Sequence, residues 1–149
     1  MMRTALFLHL LASTVWVGGM FFAHFALRPA ALALDPSLRL PLWAGVLGRF
    51  LPFVWLAVIL LLVTGYGIIF GIGGFAVAPI YMHLMSGIGV VMAFIFAYIY
   101  FVPFPRLRKT VAAGEFPAAA AHLARIRRLV GINLTLGLIS LAVVRLLRG

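Results

Sequence analysis

Four stretches of this chain, at about residues 4–27, 51–72, 79–102 and 129–147, run for some twenty residues each with almost no charge. That length of apolar helix matches the hydrocarbon thickness of a bilayer. The chain is 66% hydrophobic and only 9% charged, with a mean hydropathy of +1.23. A water-soluble domain of 149 residues cannot hide that much apolar surface, so lipid is its solvent. The expected fold is all-α: an integral membrane four-helix bundle that uses residues 1–149 as a single transmembrane domain. The first stretch stays apolar through Phe25 and lacks a small-residue site leading into polar sequence. It is therefore expected to be a span and not a cleaved leader.

The formal charge of +10 is explained by where the charges stand. Nine of the twelve basic residues lie in or beside the connections between spans one and two and between spans three and four. Three lie at the termini, and the connection "GIGGFAVAP" has none. This asymmetry is the positive-inside pattern. It places both long connections in the cytoplasm and both termini outside, as for a multi-pass protein of the bacterial inner membrane. No partner among nucleic acids is implied. The bilayer is the first partner, while a quinone, a periplasmic redox protein and a second copy of the chain stay open.

The connection "RPAALALDPSLRLP" holds Pro29, Pro36 and Pro41, so the second helix is expected to begin near Pro41, end near Gly71 and kink at Pro52. The fourth helix is expected to start near Pro117 in the cytoplasm. Shifted by 74 residues, the first span overlays the third: His9 meets His83, Phe22 meets Phe96 and Pro29 meets Pro103. This suggests a duplicated two-helix unit with both copies running the same way, a parallel repeat.

Chemistry is carried by few residues. Cysteine is absent, and Asp35 and Glu115, the only acids, lie in connections. Thiolate sites, nucleophilic triads and intramembrane carboxylate relays therefore cannot be assembled. Four histidines remain. His9 and His83 stand at matching depth, roughly 7 Å inside the outer ends of their helices. Two imidazoles at one level of a bundle are a common way to hold a metal or haem. On the first helix His9 shares a stripe with Trp16, Met20 and His24. Beside His83, Gly87 and Gly89 leave room for a flat macrocycle or for close helix packing. Arg145 is placed to meet a haem propionate or to anchor the interface. Methionines 82 and 85 add soft donors suited to copper(I), although they face different ways on a helix. His24 lies about 22 Å from His9 and has only His122 as a candidate inner partner.

The motif of a first-helix histidine followed by "WVGG", then "RF" before the second span and "RRLVGIN" before the fourth, resembles the CopD-like (copper resistance protein D) membrane family. It is also similar to the related HemJ-type haem-binding protoporphyrinogen oxidases. The positions carrying the resemblance are His9, Trp16, Gly18, Gly19, Arg49, His83, Arg128 and Asn133. The first likeness implies copper handling, and the second implies b-type haem and porphyrinogen oxidation. The oxidases carry a lysine where this chain reads "HLMSG", a departure that speaks against that reaction but not against haem.

The favoured reading from the residues is haem b held by His9 and His83 near the outer face, lined by Trp16, Gly87, Gly89 and Arg145, for electron transfer or oxidation. An enzymatic role would be that of a haem-dependent membrane oxidoreductase. The alternatives are copper binding or transport through His9, His83 and nearby methionines, and a cofactor-free structural subunit.

Overall fold

The computed structural model describes residues 1–148. Four long helices account for nearly all of them: α1 (Met2–Ala31), α2 (Pro36–Gly71), α3 (Ile80–Ala112) and α4 (Phe116–Arg148). Each contains an apolar window long enough to cross a membrane, and no strand occurs among the described residues. The chain is an all-helical, multi-pass membrane protein. At 1.5 Å per residue α2 is about 54 Å long, well beyond a hydrocarbon core of about 30 Å. The extra length lies at the inner end, where the arginines are.

Asp35 caps α2 and Pro36 takes its first turn, where a missing N–H costs nothing. The carbonyl of Asp35 accepts from Leu38 and Arg39 at 2.9 and 2.8 Å. The helix therefore begins at Pro36, five residues before the expected start, and carries Pro41 and Pro52 in its interior. α4 starts next to the other acid, with the Ala119 N–H donating to the carbonyl of Glu115. Both carboxylates of the protein thus sit at helix N-termini, where the macrodipole favours negative charge.

The outer turn between α2 and α3 depends on two glycines with positive φ, Gly73 at +115° and Gly74 at +88°. The Gly74 N–H reaches back to the carbonyl of Ile69 at 2.9 Å, closing the helix in the manner of a left-handed C-terminal cap.

α1 packs mainly on α2, and α3 mainly on α4, so the bundle is two helical hairpins set side by side. That pairing matches the 74-residue repeat. The two segments that the overlay pairs each carry an irregularity next to a proline. In α1 a π-helical turn covers Ala23–Leu27, with the Arg28 N–H donating to Ala23, immediately ahead of Pro29. In α3 the helix breaks at Val102 and restarts with Pro103. A proline has no N–H to donate and crowds the carbonyl four residues back. One copy absorbs this by widening the helix and the other by bending it.

The core between the hairpins is aromatic. Phe96, only 2% exposed, meets Trp55 and Trp16 edge-on, with centroids at 5.0 and 6.1 Å. Leu51, Val54, Ile126 and Leu134 complete the layer. Many large apolar side chains, among them Phe7, Phe53, Phe94 and Phe101, face outward, as lipid permits.

Candidate metal-binding site

His9 is half-buried on α1, about 10 Å from the outer helix end. It leans on α2, where its ring occupies the space left by the missing side chain of Gly65; a Cβ there would lie 3.2 Å from the His9 Cε1. Next to that glycine, Thr64 places its hydroxyl 2.9 Å from the His9 Nδ1. Thr64 donates its own proton to the carbonyl of Leu60, one turn back. Its oxygen must then accept, so the proton between the two residues belongs to Nδ1. An imidazole protonated at Nδ1 carries its lone pair on Nε2, the form that binds metals.

His83 lies in the first turn of α3 and is exposed. Its Nδ1 is 3.3 Å from the carbonyl of Pro79, a group that can only accept, so Nε2 is again the free nitrogen. The ring rests against Phe75 of the preceding turn at 5.3 Å. Phe75 packs in turn on Tyr66, whose hydroxyl accepts from Ser86 at 3.2 Å. This outer cluster ties α2 to α3.

The expectation that His9 and His83 close on one centre is not met. One imidazole is bonded to α2 and the other to its own helix, and no histidine pair is evident. Among the described residues there is also no group of three or more His, Cys, Asp or Glu that could hold a metal ion by themselves. The other residues assigned to a haem pocket are scattered. Trp16 is buried in the aromatic core toward the inner half. Gly87 is exposed and Gly89 half-buried, both beside open space. Arg145 is exposed in the last turn of α4. Haem ligation by His9 and His83 is therefore without structural support. The physical reason is that helix ends and side-chain directions are not fixed by span lengths: His9 lies two turns into α1, His83 lies in the first turn of α3, and each ring bonds elsewhere.

His24 does not join His122. It packs against Gly131 of α4 and lines an inner crevice that His122 does not. Arg49 bends back to the carbonyl of Gly45 at 3.3 Å. Thr64 is the functional neighbour that sequence reasoning missed. Its signal was a threonine in the otherwise apolar run "VILLLVT" of the second span. Thioethers gather toward the same end: Met2 lies against Gly71, and Met82 and Met85 are half-buried around His83.

A family model described as copper resistance protein D, CopD, matches residues 44–147, which include Thr64 and His83. Neither a curated protein nor a solved structure matches the chain.

Proposed function

Because the chain belongs to the copper resistance protein D family, we propose that it binds copper ions at the outer end of its bundle and handles them within the membrane. The observation that carries this reading is the tethering of the His9 Nδ1 by Thr64, which turns a neutral imidazole into an oriented Nε2 ligand inside an apolar layer. An ionisable side chain there is costly and is retained for function by default. His83, exposed with its own Nδ1 engaged, is the ligand that copper meets first. Methionine sulfurs suit copper(I), which favours soft donors and low coordination numbers. Two separate imidazoles, one at the surface and one inside, fit a cargo ion that moves better than they fit a fixed macrocycle needing both ligands on one axis.

The test is an anaerobic copper(I) titration of the detergent-purified protein against a chromophoric chelator, with a visible spectrum of the same sample. Copper should be held stoichiometrically. His9→Ala should weaken it by at least about tenfold, and His122→Ala should leave it unchanged. Failure to compete for copper would overturn the reading. A Soret band lost in both His9→Ala and His83→Ala would replace it with the haem alternative.

A further inference from the structure

At the opposite end of the bundle a narrow crevice opens between all four helices. Its walls are apolar, with Trp16, Trp43, Phe50 and Phe96 among them, and its polar residues are His24, Arg28, Arg127 and Asn133. It encloses about 50 Å³, space on the scale of a few water molecules. That volume is far too small for a macrocycle but is wide enough for water or the neck of an amphiphile.

Two features of this crevice have no role in copper handling. The first is an unbalanced charge cluster. Arg28 from the end of α1 and Arg39 from the start of α2 lie near enough to Arg127 of α4 to repel it. All three are half-buried. The protein has only two acids, and both are exposed in the connections. Guanidinium groups cannot ligate a metal cation, and three of them repel one. The second is an orphaned acceptor. Asn133 is 1% exposed and donates its Nδ2–H to the carbonyl of Met92 at 3.1 Å, while its Oδ1 is buried without a partner. Asn133 sits about 9 Å up α4 from Arg127 and lines the same crevice. A buried acceptor without a donor is costly, and a hydroxyl group or a bound water would relieve it.

We propose that Arg28 and Arg127, with Arg39 at the rim, bind the phosphate of an anionic inner-leaflet phospholipid at the mouth of the crevice, with water filling the space between the phosphate and Asn133. Arginines from three helices supply the several N–H donors that a phosphate accepts. Basic pockets between helices on the cytoplasmic side are where such headgroups are recognised. The π turn of α1 fits this role, since it contains His24, ends at Arg28 and sets the direction in which both leave the helix. The bound lipid would bridge both hairpins, and the site is independent of the copper reading.

Native mass spectrometry of the full-length protein, extracted from nanodiscs of mixed phosphatidylglycerol and phosphatidylcholine, tests this. Wild type should retain phosphatidylglycerol selectively. Each arginine removed should weaken retention about fivefold, so Arg28→Gln with Arg127→Gln should lose roughly 25-fold. Arg106→Gln with Lys109→Gln, exposed on the same side, should lose little. Arg39→Gln, at the rim, serves where the double variant does not fold, and should show the single fivefold loss. Equal retention of the two lipids, or unchanged selectivity in the arginine variants, would overturn the proposal. So would displacement of the lipid by millimolar inorganic phosphate alone, which would make the site a free-anion site.

Discussion

The Nδ1–H of His9 is donated to the hydroxyl of Thr64 across the α1–α2 interface at 2.9 Å, and this one contact selects which imidazole nitrogen is left free. Removing it should disturb metal binding without removing the ligand. Thr64→Val keeps the shape and deletes the acceptor. It is expected to weaken copper(I) affinity by about 10–100-fold, the usual effect of losing the outer-shell partner of a histidine ligand. Thr64→Ser should restore most of it. A chelator competition on the three proteins decides the matter, and equal affinities would show that Thr64 has only a packing role.

Gly19 of α1 leaves no room for a side chain against α2: a Cβ there would clash with the ring edge of Phe50. Gly19→Ala is expected to destabilise the bundle by about 1–3 kcal/mol through overpacking. The double variant with Phe50→Leu should recover most of the loss. Thermal unfolding in detergent followed by circular dichroism measures both, and a failure of rescue would place the strain elsewhere.

Phe96 joins the two hairpins through Trp16 and Trp55. Phe96→Ala should cost about 3–5 kcal/mol, as for other buried aromatic truncations. It should also shift tryptophan emission, because two of the three indoles lose an edge-on neighbour. An unchanged spectrum and melting temperature would mean that the hairpins are held by other contacts.

Asn133 crosses from α4 to the backbone of α3 at Met92. Interhelical bonds of this kind in membranes average about 0.6 kcal/mol and reach about 1.7. Asn133→Leu also removes the orphaned Oδ1, so its effect on stability should stay below about 1 kcal/mol. The larger change is expected in phospholipid retention. A large loss of stability with unaltered lipid retention would make Asn133 a structural bond alone.

The charge asymmetry between the two ends of the bundle orients the chain. A C-terminal alkaline phosphatase fusion should be active and a C-terminal green fluorescent protein fusion dark, because Arg148 lies at the outer end. The opposite pair of results would invert the assignment of inner and outer faces throughout.

The number of spans and the helical class were determined by the sequence by itself, because each depends on a one-dimensional quantity, the length of apolar runs against bilayer thickness. Helix ends were less so. Whether Pro36 or Pro41 opens α2 turns on the Asp35 cap, and whether Pro29 breaks its helix turns on the π turn before it. What only the tertiary structure decided was partnership. His9 and His83 are paired by the sequence overlay, but rotation about the helix axis and the helix starts set what each ring touches. That rotation comes from side-chain packing between helices, such as Gly65 making room for one imidazole. The same holds for Arg28 and Arg127, far apart in the chain and ordinary as positive-inside residues, which line one crevice only because α1 and α4 pack together.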